Sequence, residues 1–259
     1  MPSVRLHVSG LEVEVRQPAG AEDVLLAEAW SLDAALAVEL VSRVAAPAGA
    51  GAPEWADLVH TDLDALLLVV RATVFGDVIR SDVVCPAVDC QARADITFGI
   101  GDYLRHHRPR PPRRVHPAAE PGWYLLDGAA VRFRLPTAAD LLAAAAEPRP
   151  DEVLRARTTS PSRLPAPLRR RVDAAMAALA PPLVDDLLAA CPECHQAFTV
   201  RFDPREYCLR ELRAQALSVF EDVHLLASAY NWPEQEILAL PRSRRLLYAE
   251  MAREERGPA

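Results

Sequence analysis

The sequence predicts a mixed α+β fold made of two related halves, each with a Cys-Pro knuckle between short antiparallel strands plus helices, ending in a helical tail. Three observations lead there. Short runs with period-two alternation sit beside longer runs at helical spacing, which calls for strands and helices in one chain. Two Cys-Pro elements, at Cys85-Pro86 and Cys191-Pro192, are each followed by an alternating apolar run. Between them, residues 105–121 (RHHRPRPPRRVHPAAEP) join prolines to like charges, which favours an extended connection over a helix. The expected organisation is an N-terminal half over 1–104, a linker over 105–121 and a C-terminal half over 122–259.

Val4, Leu6 and Val8, then Leu11, Val13 and Val15, alternate about Ser9-Gly10 and predict a β-hairpin. From Ala21 the period becomes helical, through GAEDVLLAEAW and LDAALAVELVSRVA, until the Ala/Pro/Gly stretch of residues 45–53 breaks it. Thr61 to Phe75 predicts a largely buried helix, with Asp62 and Asp64 at the favourable end of its dipole. Strands flank the first cysteine pair. In the second half, GWYLLDG and AVRFRLP read as strands, Thr137 opens a helix, and a Pro/Arg-rich stretch leads to another helix over Leu168 to Leu179. After the second cysteine pair and its strand, Leu209, Leu212, Leu217, Phe220, Val223 and Leu226 predict one amphipathic helix of about six turns from Glu206 to Tyr230. Asn231 is placed as the cap of the next helix, with Pro233 in its first turn and Glu234 completing a capping box. Pro241 restarts the chain into RSRRLLYAEMA.

Setting Cys90 against Cys194 aligns more than the thiols. Ala94, Ile96 and Phe98 fall opposite Phe198, Val200 and Phe202, and Asp102-Tyr103 falls opposite Glu206-Tyr207. This is the pattern of two copies of one knuckle-plus-strand element. A tight turn between two cysteines aims both thiolates at one tetrahedral ion, and two such turns complete a closed four-sulfur zinc site. Cys191 and Cys194 have two residues between them, and Cys85 and Cys90 have four. The expected ligands are therefore Cys85, Cys90, Cys191 and Cys194, holding structural Zn2+. Cys208 aligns with Leu104 and reads as a core position. The competing readings are four reduced, part-buried thiols without a metal, or a redox pair. A thioredoxin-like role needs a helix starting at the first cysteine, whereas here a strand follows the second. His195 stands beside the second knuckle as a candidate for an open catalytic zinc site, and its expected place is facing solvent.

The 259 residues hold 29 Lys+Arg against 36 Asp+Glu, a net charge of -7, which argues against coating nucleic acid or an anionic membrane by bulk charge. Every basic residue is arginine, so a lysine Schiff base and a phosphate-loop lysine are both excluded. The opening MPSVRLHVSG has neither the basic nor the apolar region of a secretory leader, and five cysteines make an odd count, so a reducing, cytoplasmic setting is expected. No apolar run approaches the length of a membrane span. There is no Gly-rich phosphate loop, no HExxH and no GxSxG, and Glu221-Asp222 beside His224 read as a solvated helix face. No catalytic residue and no organic cofactor is expected; the chain reads as a binding protein, not an enzyme. A nucleic-acid regulator using Arg105 to Arg114 is the alternative, weakened because that stretch lacks interleaved aromatics.

Three segments together, RLPTAADLLAAAAEP (Arg134 to Pro148), LAACPECHQAFTVRFDPREYCLREL (Leu188 to Leu212) and DVHLLASAYNWPEQEILALPRSRRLLYAEM (Asp222 to Met251), resemble a bacterial family of phage-type baseplate or baseplate-hub assembly proteins. That family is similar to a T-even phage baseplate component and occurs in contractile phage tails and phage-derived contractile injection systems. GAEDVLLAEA and HTDLDALLLVVRATVFGD, leading into VVCP, resemble its N-terminal region. The family usually has CPxC in both knuckles, so Cys85-Pro-Ala-Val-Asp-Cys90 is wider by two residues. The resemblance implies an assembly or structural role, with baseplate, hub, spike or tube proteins as partners, in the cytoplasm or within a tail-like particle. It carries over no catalytic residues.

Overall fold

A computed structural model describes residues 3–49, 53–110 and 112–256. Strands β1 (Ser3–Arg5) and β2 (Glu12–Val15) pair antiparallel. In β2, Val13 and Val15 are buried while Glu12 and Glu14 face water, the outcome of period-two alternation. Helices α1 (Gly20–Glu28) and α2 (Ala34–Val44) follow, and the Asp33 carboxylate caps α2 by accepting the N–H groups of Ala35 and Leu36. Strand β3 (Ala45–Pro47) adds to the free side of β2, inside the stretch read as a breaker.

Helix α3 (His60–Phe75) is apolar around most of its circumference, and Leu63, Leu66, Leu67, Leu68 and Val70 are fully buried. Asp62 and Asp64 do more than sit at its dipole. Asp62 accepts the N–H groups of Val8 and Ser9, and Asp64 pairs with Arg205 at 2.8 Å. Strands β4 (Val78–Val84) and β5 (Arg93–Gly99) form a hairpin that runs into helix α4 (Ile100–His106).

Strand β6 (Val115–Pro117) lies within the expected linker. It pairs with β7 (Trp123–Leu126), which pairs with β8 (Arg132–Arg134). Helices α5 (Ala138–Ala145) and α6 (Pro150–Thr158) intervene before β9 (Thr159–Ser160) completes a four-stranded antiparallel sheet on β8. Helix α7 (Ala166–Leu179) packs on that sheet around Phe133 and Val172. A second hairpin of β10 (Asp185–Ala190) and β11 (Ala197–Phe202) then leads into helix α8 (Pro204–Ala216), followed by α9 (Val219–Tyr230), α10 (Glu234–Ala239) and α11 (Arg242–Arg256). The molecule is thus mixed α+β with short antiparallel sheets. No helix among the described residues is long and apolar enough to cross a membrane.

The largest core cluster joins α2 and α3 to Leu183, Phe202, Tyr207, Leu209 and Leu212, so it draws on both sides of the 105–121 connection. A smaller cluster holds α7 to the four-stranded sheet, and a third holds α9, α10 and α11 together.

The tail departs from the sequence reading in three ways. The expected single helix over Glu206 to Tyr230 is two helices, broken at Leu217-Ser218, because α8 packs on α3 and α1 while α9 packs on α11. Leu217 and Phe220 are consequently exposed. Asn231 ends α9 instead of starting α10: it takes a left-handed φ of 55°, which asparagine tolerates, and Pro233 occupies the position before α10. Asp222 is fully buried, not part of a solvated face, and it pairs with Arg245 and Arg253. Arg242 and Arg245 are buried against Asp23 of α1. Helix α6, in the Pro/Arg-rich stretch, starts with Pro150 in its first turn, where a missing N–H costs nothing.

Candidate metal centre

Both cysteine pairs lie at the tips of hairpins. Cys85 directly follows β4, and its N–H donates to the Ala92 carbonyl at 2.9 Å; Cys191 directly follows β10, and its N–H donates to the Gln196 carbonyl at 3.0 Å. Each tip then turns tightly. The Cys90 and Gln91 N–H groups donate to the Ala87 carbonyl, and the His195 N–H donates to the Cys191 carbonyl. The residue after each second cysteine takes a left-handed conformation, with φ 50° at Gln91 and 59° at His195. The fold therefore brings together all four residues expected as ligands, and the sulfurs of Cys85, Cys90, Cys191 and Cys194 lie within 4.8 Å of one another.

The contacts between tips are reciprocal. Cys85 Sγ is 3.7 Å from Cys194 Sγ, and Cys90 Sγ is 3.7 Å from Cys191 Sγ, so the first cysteine of each tip meets the second of the other. That separation is far beyond a disulfide bond of about 2.05 Å. It agrees with the edge of a sulfur tetrahedron, about 3.8 Å, around an ion bonded to each sulfur at about 2.3 Å. The four thiols can hold a metal ion in this arrangement.

Backbone N–H groups point at the sulfurs and favour their ionised form. The Ala87 N–H does so at Cys85, but burial and the neighbouring Cys194 and Cys191 thiols outweigh it and push Cys85 up to about 12. Cys90 moves in the same direction, the Ala92 N–H being outweighed by burial and by Cys191 and Cys194. Cys191 moves down to about 7, because the N–H groups of Cys194 and Glu193 and the thiols of Cys90 and Cys194 favour its thiolate over the cost of burial. Four thiolates so close together repel, and a bound cation is what lets all of them ionise. Cys85 and Cys191 are buried, Cys90 is half-buried and Cys194 is exposed. Cys208 lies apart on α8, fully buried in the main core, where burial raises its thiol well above the ordinary range. His195 is exposed beside the knuckle.

Behind the tips, an aromatic cluster joins the bases of the two hairpins. Phe98 and Phe202 meet edge to face with centroids 5.1 Å apart, and Tyr103 and Tyr207 pack on Phe202 at 5.3 and 5.4 Å. The tyrosine hydroxyls cross over. Tyr103, after the first hairpin, donates to the Leu183 carbonyl just before the second, and Tyr207, after the second hairpin, donates to the Arg80 carbonyl of β4 at 3.1 Å. Burial raises both phenols, Tyr207 to about 12. These tyrosines and phenylalanines are the residues matched by the sequence alignment. The left-handed positions Gln91 and His195 carry no glycine to mark them in the sequence; the one signal is that each stands first after its second cysteine.

Fold and site define an α+β protein in which a four-thiol centre clasps two antiparallel hairpins. Comparisons with protein-family models, with curated proteins and with solved structures find no match to this chain.

Proposed function

We propose that this chain is a non-enzymatic structural or assembly protein whose two hairpin units are locked together by one structural zinc ion. The observation that carries the reading is the reciprocal pairing of thiols, Cys85 with Cys194 and Cys90 with Cys191, at tetrahedral spacing. An all-sulfur donor set of this size favours zinc over the hard cations, and four protein ligands leave no open position for a substrate. The same reciprocity, with the crossed hydrogen bonds of Tyr103 and Tyr207, supports descent of the two hairpin-plus-helix units from one repeated element about an approximate two-fold.

Such a clasp supplies rigidity, not chemistry, and suits a protein that presents a fixed surface to others. The sequence resemblance to baseplate and hub assembly proteins supplies the setting: a contractile phage tail or a related injection system, with hub, spike, tube or baseplate proteins as partners. Two measurements test the parts separately. Elemental analysis of the purified protein should find about one zinc per chain, and Cys191→Ser should lose it and melt at a lower temperature; a metal-free protein with an unchanged melt overturns the zinc site. Affinity isolation from the native host should recover tail-tube, hub or spike proteins, and recovery of the chain free of all of them overturns the assembly role.

A further inference from the structure

The charge of the chain is unevenly distributed. Residues 105–180, from the Pro/Arg-rich connection to the end of α7, hold fourteen arginines against seven acids, a net +7 in a chain whose total is -7. The remaining 183 residues therefore carry -14. Five of those arginines have carboxylate partners: Arg105 with Asp102, Arg132 with Glu120, Arg134 and Arg157 with Asp140, and Arg149 with Glu152. The other nine form no ion pair among the described residues.

Several of the arginines in this region share one face. Arg149, Glu152, Arg155 and Arg163 line a concavity between α6 and the loop that follows β9; Glu152 is taken up by Arg149, which leaves Arg155 and Arg163 without an acidic partner among the described residues. Arg163 and Leu164 also line an adjoining concavity, bounded on its far side by Val131, Leu168 and Arg171. Arg171 is oriented by a 2.9 Å bond from its guanidinium to the Asp127 carbonyl, and the Asp127 N–H in turn donates to the Arg114 carbonyl. The two concavities meet at Arg163 and Leu164, which line both, and the second adds an aliphatic lining that includes Pro161, Pro165 and Pro167; together they are treated as one groove.

We infer that this groove docks an extended acidic segment of a partner protein, with its carboxylates on Arg155, Arg163 and Arg171 and its aliphatic side chains on the proline and leucine floor. Guanidinium forks match carboxylates in pairs, which gives direction as well as attraction. Nucleic acid fits less well, because neither concavity is lined by an aromatic ring on which a base can stack. The field of the surrounding acidic surface is screened beyond about 8 Å at physiological salt, so the local basic face governs what binds there. This inference stands whether or not the partner belongs to a tail-like particle.

The test is fluorescence anisotropy on the full chain with a labelled peptide of repeating Glu-Leu-Asp-Val. The peptide should bind, and weaken at least about tenfold between about 50 and 300 mM salt. The double variant Arg163→Glu, Arg171→Glu should abolish binding with an unchanged melting curve, both side chains being exposed, while Arg210→Glu on α8 should leave binding intact. A peptide with Ser in place of Leu and Val should bind more weakly, which separates this groove from a bare polyanion site. Absence of peptide binding to the unaltered chain, indifference to the double variant, or equal or tighter binding of duplex DNA overturns the inference, the last by assigning the groove to nucleic acid.

Discussion

Gln91 and His195 hold a left-handed conformation with full side chains, where glycine would sit without strain. A Cβ in that conformation is crowded, and histidine and glutamine bear the cost because the turn aims the knuckle sulfurs. His195→Gly and Gln91→Gly should therefore keep or raise the melting temperature of the protein. His195→Val, with a branched Cβ, should destabilise it by about 1–2 kcal/mol. Thermal melts of the three variants check this, and a strong loss with glycine would mean that the side chains have contacts of their own. Asp140 shows the opposite use of a side chain. Burial opposes its ionisation, but bonds from Arg134 and Arg157 and from the Thr137 N–H outweigh burial and hold its pKa down to about 2. A depressed carboxylate stabilises the fold above its unfolded pKa near 3.9 and loses that contribution as pH falls through its folded value. The stability difference between the natural chain and Asp140→Asn should be full at pH 5, about 1–2 kcal/mol after allowing for the part-exposed arginines, and should vanish toward pH 2.

At the scale of elements, helix α1 is the meeting point of the two ends of the chain. A Cβ added to Gly20 would lie 2.6 Å from both Cα and the carbonyl oxygen of Leu238 in α10, so the contact is backbone to backbone and neither side can yield cheaply. One turn further on, Asp23 receives Arg242 and Arg245 of α11. Gly20→Ala should destabilise the protein by about 1–3 kcal/mol through overpacking. It should also shift the fluorescence of Trp232, which packs against Tyr230 and meets Tyr248 edge to face in the tail cluster, and an unchanged spectrum with an unchanged melt would show that α10 does not bear on α1. These contacts also explain what the sequence could and could not reveal. The strands beside the cysteines were legible because alternation is a local signal, and the four thiols were legible from their spacing; helix α4, which starts directly after β5, was not, since its seven residues are too few to show a helical period. The break at Leu217-Ser218 was not, since both halves continue one apolar spacing and only the different partners of α8 and α9 separate them. Nor was the burial of Asp222 and Arg245, because charged residues at helical spacing look the same whether they face water or each other.

For the whole molecule, the position of the clasp decides what its removal does. The bases of the β4–β5 and β10–β11 hairpins are tied into the main core by Phe98, Tyr103, Phe202 and Tyr207. Toward the tips this packing fades: Val84 and Leu188 are exposed, and the strands alternate between half-buried and exposed residues. What joins the tips is the four-thiol centre, between residues more than a hundred positions apart in the chain. Chelation should therefore loosen the molecule from the tips inward and leave α3 and α8 in place, because the core around Leu66, Leu67, Leu209 and Leu212 needs no metal to stay dry. Hydrogen exchange before and after chelation checks this. Protection should fall over residues 81–97 and 187–199 and persist along α3 and α8, with a lowered but still cooperative melt. Loss of protection throughout the chain would mean that the ion is needed for the core to form at all, as in domains that fold only around their metal. The remaining outcome, unchanged exchange at the tips, would mean that hairpin packing alone holds them together and that the thiol cluster is dispensable to the fold.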